Sequence, residues 1–200
     1  MVEDLPPDGW PVAGTEEHYR NWLVSVRTDK VVMPDSLQAE RTVITHIGAV
    51  AILALDEQDR VLMIRQYRHP VARELWEIPA GLRDVSGESL ADTARRKLLE
   101  ETGHVARDWR VLVDSYSSPG IISERIRIFL ARGLETADSG YQRQGEEKFL
   151  RTAWVPLADA VSAALAGKLH NGATIQGILA GYAASSGGHA ALRAVDAPES

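Results

Sequence analysis

The sequence predicts an α/β (α+β) fold in which a mixed β-sheet is sandwiched between helices. Three observations predict it. Short runs rich in Val, Ile, Thr and Leu fill the stretch from Tyr19 to Arg68. One segment with strong helical grammar, 89–102, interrupts the strands, and two more helical patterns close the chain. No strict βαβ alternation links these elements.

In chain order, residues 1–16 carry three prolines and no period, so an irregular arm is expected. Trp22–Arg27 and Lys30–Met33 read as strands with Thr28-Asp29 as the turn between them. Arg41–His46 follows, and then Ala49–Leu55, which is too apolar to have a wet face and predicts a central strand. Asp56–Asp59 links it to Val61–Arg68, which predicts a hairpin. In the helix over 89–102, Ser89 caps the N-terminus, Leu90, Ala94 and Leu98 form the buried stripe, and Gly103 stops the chain. Strands are expected around 109–116, 122–131 and 148–155, with a polar loop at 136–147. One closing helix should start at Pro156 and bury Val161, Leu165 and Leu169. The other should bury Ile175, Leu179 and Tyr182. From Ser185 the residues are small and polar, so 185–200 is expected to be a disordered tail.

At about 150 residues per domain, this chain is one domain or a core with an appendage. The expected division is a β-rich N-terminal portion, 1–46, before a main domain, 47–184. Apolar residues make up 44% of the 200, enough to fill one core. Lys and Arg number 22 against 28 Asp and Glu, a net charge of −6, which argues against a protein that coats nucleic acid or anionic lipid. Without cysteine there is no disulfide scaffold, no thiolate metal site and no thiol nucleophile. The longest apolar run, Ile47–Leu55, is far short of the roughly 18 residues that span a bilayer. The acidic, proline-broken start does not read as a signal peptide, so a cytoplasmic protein with no membrane partner is expected.

Chemistry concentrates between Gly81 and Gly103. At about 100° per residue, Arg96, Glu100, Lys97 and Glu101 share one contiguous arc of the helix. Adjacent carboxylates on one face repel unless a cation sits over them, and glutamate oxygens suit Mg²⁺ or Mn²⁺. Taken alone, such an arc is more often a solvated, charge-laced helix face.

The wider context changes that balance. The stretch resembles the Nudix box, in which a glycine and a glutamate precede an Arg-Glu-apolar-any-Glu-Glu-any-Gly run. Gly81, Glu88, Arg96, Leu98, Glu100, Glu101 and Gly103 fit it. The strand-like Leu75–Gly81 before the box, Gln66-Tyr-Arg-His upstream and Ser118–Glu124 downstream are similar to the ADP-ribose pyrophosphatase branch of the actinobacterial type. Pro119 stands at the branch's expected distance beyond Gly103. The resemblance covers roughly 18–180 and implies a Nudix fold whose N-terminal strands exchange across a two-fold homodimer.

It also implies site roles. Glu88, Glu100, Glu101 and the carbonyl of Ala80 would hold Mg²⁺ or Mn²⁺, with Arg96 orienting the glutamates. Glu147, or its neighbour Glu146, would be the general base on the attacking water. Arg68, Glu77, Pro119 and Glu124 would line the nucleotide-sugar site. Trp22, Trp76 and Tyr67 have faces that can stack on adenine, though a core role is the commoner one for each. None of the six histidines sits at a metal-binding spacing.

Three positions depart from the pattern. Six residues rather than five separate Gly81 from Glu88, and His104 stands where an apolar residue is expected. The third departure is chemical: Lys97 occupies the place of a metal-binding glutamate. Its ammonium lies one turn from Glu101 and is expected to pair with it. The implied activity is hydrolysis of ADP-ribose, or a related nucleoside-diphosphate sugar, to AMP and a sugar phosphate, reduced by Lys97. The rival is a non-catalytic module that binds a nucleotide-sugar as sensor or interaction domain. Lys97 favours it, and retention of Glu88, Glu100, Glu101 and Glu147 opposes it.

Overall fold

A computed structural model describes residues 2–5, 7–137, 148–187 and 192–199. The chain forms two compact units, one of Met1–Ile47 with Tyr116–Glu124, the other of Gly48–Ser115 with Arg125–Ser200.

The first unit is a three-stranded antiparallel sheet, β1 (Val12–Arg20), β2 (Val24–Val32) and β3 (Gln38–His46), in that order. β1 runs through a stretch expected to be irregular. It is exposed almost throughout, so it carries no alternation of apolar and polar residues. Its pairing with β2 is what defines it, across two register shifts. Thr28-Asp29 is not a turn but the middle of β2. Asp29 is buried there, accepting hydrogen bonds from the Thr15 hydroxyl (2.8 Å) and Arg27 Nε. The turn comes earlier, where the Asn21 side chain accepts the N–H groups of Leu23 and Val24 at 2.9 and 2.7 Å. Loop 117–124 is tied to β3 through Ile44 N–H to the Ile121 carbonyl (2.8 Å) and Ser123 N–H to the Ile44 carbonyl (2.9 Å).

The second unit holds two sheets. β4 (Ala49–Ala54) lies inside a five-stranded sheet, parallel to β9 (Arg125–Thr136) and antiparallel to β7 (Ala80–Leu82); β8 (His104–Tyr116) and β11 (Arg193–Ala194) extend it beyond β9. β5 (Arg60–Arg68) lies between β6 (Arg73–Glu77) and β10 (Arg151–Pro156) in a three-stranded sheet. The expected hairpin of β4 and β5 is therefore not a ladder. Only Leu55 and Val61 bridge, and the chain turns a corner into the other sheet. That corner is set by the Asp56 carboxylate, which accepts the N–H groups of Gln58 and Arg60 at 3.0 and 2.8 Å.

The central position of β4 is as its composition requires. Ala51, Leu53 and Leu55 enter one apolar cluster with helices α2 (Leu157–Leu165) and α3 (Gly172–Gly187). Val50, Ile52 and Ala54 enter another with α1 (Leu90–Thr102). α1 begins and ends as its sequence indicates: Ser89 accepts the Asp92 N–H, Ala94 and Leu98 are fully buried, and Gly103 takes φ 70° to close the helix.

The later helices differ from expectation. α2 ends at Leu165, which is 76% exposed; Val161 packs against the core and Leu169, beyond the helix, is buried as expected, but the buried helical positions are Leu157 and Ala160. On α3 the buried face is Thr174, Gly177, Ile178 and Gly181; Ile175 packs against the core as expected, while Leu179 and Tyr182 face outward. The reason is close approach. A Cβ at Gly177 would lie 2.9 Å from Ile78 Cδ1, and one at Gly181 would lie 2.1 Å from Leu53 Cδ2. Glycines leave no apolar signature, so the large residues pointed to the wrong stripe.

The segment expected to form a tail is also ordered where described. β11 pairs with β8, Arg127 donates to the carbonyls of Ala197 and Pro198 at 2.6 and 2.9 Å, and Arg83 pairs with Glu199. Buried Arg127, held by Asp114, supplies an anchor that small polar residues do not advertise. No helix among the described residues is long and apolar enough to cross a membrane.

Candidate active site

α1 carries the charged arc, and β7 supplies the backbone beside it. β4 and β7 exchange hydrogen bonds at Ile52/Pro79 and Gly48/Arg83. By the two-residue repeat of an antiparallel ladder, Ala80 directs its N–H and C=O away from β4, off the sheet edge. Its N–H donates to Glu101 Oε2 at 3.1 Å, and Glu101 is buried. Ala80 and Glu101 are thus brought together, with the Ala80 carbonyl on the same free edge.

Arg96 organises the neighbouring carboxylates. Its Nε and Nη2 form a fork on Glu88 at 2.9 and 2.7 Å, and Nη2 also donates to Asp84 at 3.0 Å. Nη1 lies 3.5 Å from Glu100. The Thr93 hydroxyl donates to Glu88 at 2.9 Å. The Arg96 fork, acting against desolvation and aided by Thr93, holds the Glu88 carboxyl below its ordinary range. Arg96 is held more firmly protonated in turn, chiefly by Glu88. Asp84 and Thr93 were not singled out from sequence. The available signal was Thr93, a polar residue beside Ala94 on the buried stripe.

Lys97 pairs differently from expectation. Its Nζ lies 2.9 Å from Glu100 Oε2, not on Glu101, whose carboxylate is directed to β7. An (i, i+3) partner on the same side of the helix wins over one already engaged by backbone. The contact is ionic in character: Glu100 Oε2 is buried and accepts no hydrogen bond among the described residues. The lysine stem lies across Gly81, where a Cβ would come within 2.3–2.6 Å of Lys97 Cγ, Cδ and Cε.

Other candidate residues fall elsewhere. Arg68 forms a two-point contact with Glu77, 2.9 and 2.7 Å, across β5 and β6, and Gln66 adds a third donor at 3.2 Å. Glu77 is 1% exposed, so this carboxylate is sealed under its arginine. Pro119 and Glu124 belong to the first unit, where Glu124 lies 3.3 Å from His46 Nδ1. Glu146 and Glu147 lie outside the described residues. Of the aromatics, Trp76 is half-buried beneath the Arg65 guanidinium, 5.7 Å away. Trp22, in the turn between β1 and β2, and Tyr67, on β5, are exposed rather than core.

No group of three or more His, Asp or Glu among the described residues is placed to hold a metal ion. The donor set explains this: Glu88 is closed by Arg96, Glu101 by the Ala80 N–H, and Glu100 has a lysine ammonium as its cation. As they stand, these side chains do not fit a ready-made divalent site.

A family model described as NUDIX domain matches residues 45–175. An ADP-ribose pyrophosphatase of Mycobacterium tuberculosis is 41% identical over 165 residues, 82% of this chain and 79% of that protein. An ADP-ribose pyrophosphatase of Bacillus subtilis is 32% identical over 146 residues, 73% of this chain and 78% of that protein. Among solved structures, one described as an ADP compounds hydrolase superposes with a TM-score of 0.77 at 19% identity, covering 92% of this chain and 99% of that one. At that identity the likeness speaks for the fold.

Proposed function

Because the chain belongs to the Nudix family, we propose that it hydrolyses the pyrophosphate of ADP-ribose, or of a related nucleoside-diphosphate sugar, to AMP and a sugar phosphate. The observation that carries this reading is the intact frame of the box: Ala80 and Glu101 joined at the sheet edge, with Arg96 forked on Glu88 beside Glu100. The two relatives named for ADP-ribose hydrolysis support it. Because they are named for turnover, a module that binds without hydrolysis is not favoured.

In the reaction a water oxygen attacks phosphorus, the bridging P–O bond breaks, and the water gives up a proton. We assign Glu147 as the group that takes that proton, with Glu146 as its reserve. Arg96 keeps Glu88 ionised and oriented and lies beside Glu100. Arg68, Glu77, Pro119 and Glu124 are assigned to the nucleotide-sugar site; Arg68, whose Nε and Nη2 hold Glu77, would contribute its positive charge, and Glu77 would position it. Nudix hydrolases generally use divalent metal ions, which screen the diphosphate and stabilise the leaving oxygen. Mg²⁺ or Mn²⁺ is the cation proposed here; Glu88 and Glu101 would have to leave their present partners to hold it beside the Ala80 carbonyl, and Glu100 would serve only where Lys97 gives it up. A homodimer built through the N-terminal strands completes the proposal.

Chromatography of ADP-ribose incubated with the protein and either cation should show AMP and ribose phosphate in equal amounts. ADP-ribose and a panel of other nucleoside-diphosphate sugars, GDP-mannose included, all left unchanged with both cations would remove the reading. Glu147→Gln should keep binding and slow turnover by about 10² to 10⁴, the usual contribution of a general base.

A further inference from the structure

Around Lys97 the structure holds a cation that the protein has built for itself. The ammonium sits 2.9 Å from Glu100 Oε2, and the two side chains are only 14% and 16% exposed. Its stem is seated on the bare backbone of Gly81, in space that any side chain there would fill. Arg96 cannot substitute for it, being committed to Glu88 and Asp84 and lying 3.5 Å from Glu100. A lysine ammonium has three donors and no acceptor, and Glu100 Oε2 takes none of them in a hydrogen bond.

We infer that Lys97 is the resident cation of the box: it displaces a divalent ion from Glu100 and offers its N–H donors to an anionic diphosphate oxygen of the substrate. A divalent ion entering beside Glu100 would meet an ammonium within a few ångströms, in a place where water screens the repulsion less than on an open surface. A diphosphate brings the opposite charge and the acceptors that Nζ lacks. The second half of this inference rests on the nucleoside-diphosphate reading above; the first half does not.

Mn²⁺ titration followed by electron paramagnetic resonance reads the first half without any turnover. Replacing Lys97 by glutamate changes the local charge by two units, from +1 to −1, so Lys97→Glu should bind Mn²⁺ at least about 100-fold more tightly than the unmodified chain. Lys97→Met, which keeps the stem on Gly81, should fall between them. Calorimetry of ADP-ribose in EDTA reads the second half: the unmodified chain should bind, and Lys97→Met should lose about tenfold or more. Circular dichroism confirms that each variant is folded, and Lys97→Gln replaces any that is not. Mn²⁺ affinity equal in the unmodified and glutamate forms, or ADP-ribose affinity equal in the unmodified and methionine forms, would overturn the inference. If no form binds ADP-ribose, the substrate reading fails and with it the diphosphate contact, while the Mn²⁺ comparison still decides whether Lys97 excludes the metal.

Discussion

Arg96 concentrates more interaction than any other side chain of the box, since Glu88, Asp84 and Glu100 all lie within 3.5 Å of its guanidinium. At 26% and 15% exposure, Arg96 and Glu88 are enclosed enough that removing one leaves the other partly desolvated without a partner. Arg96→Met keeps the stem and removes the fork. It should cost about 1–3 kcal/mol of stability at pH 7. The cost should depend on pH in a definite direction. Glu88 titrates below its ordinary 4.5 in the folded chain, so its pairing stabilises fully above that value and is lost as pH falls through the folded pKa. The gap between parent and variant in urea unfolding should therefore be wide at pH 7 and narrow toward pH 3. A gap of constant width would show that the fork contributes nothing to folding.

Among the elements, α3 makes the sharpest claim, because two of the residues on its packed face, Gly177 and Gly181, have no side chain. A valine at Gly181 would have to displace Leu53, which is fully buried in the middle of β4. Overpacking of this kind costs about 1–3 kcal/mol. Gly181→Val should therefore lower stability by about that much, whereas Leu165→Ala, at a position 76% exposed, should change it by less than about 0.5 kcal/mol. Thermal or urea unfolding of the two variants decides it; the reverse order would restore the stripe drawn from the large apolar residues. The same contrast marks what was legible in the sequence. α1 could be read because its cap, its Leu90/Ala94/Leu98 stripe and its stop glycine all carry local signals, and so could the two-sided burial of β4. The glycine face of α3, the exposed strand β1 and the corner after β4 are fixed by partners distant in sequence. In the site, the box residues were legible by their spacing, but the choice of Lys97 between Glu100 and Glu101 was not. It depends on the Ala80 N–H, which reaches Glu101 only after β7 has paired with β4.

At the scale of the whole molecule, the N-terminal unit buries little of its own apolar surface. Val12, Tyr19, Trp22, Leu37 and Ile121 are each between 46% and 70% exposed; Val12 and Tyr19 lie on the three-stranded sheet, Trp22 and Leu37 in the turns that join its strands, and the described residues of the unit contain no helix. Single exposed apolar residues are ordinary, but a set of this size in one small unit is the mark of a surface that is covered by something. A second copy of the same unit fits the requirement, since a two-fold interface presents each patch to itself. An interface of standard size would remove roughly 1,600 Å² in total. Trp22, 70% exposed, is the natural anchor, because buried tryptophans carry a large share of interface energy. Light scattering of the protein at micromolar concentration should therefore give about twice the chain mass of 21.9 kDa. Trp22→Glu, which places a charge where the anchor should be desolvated, should give the single-chain mass while leaving the unfolding transition of the second unit in place. A parent protein that scatters as one chain would dismiss the dimer. A dimer undisturbed by Trp22→Glu would move the interface off this sheet.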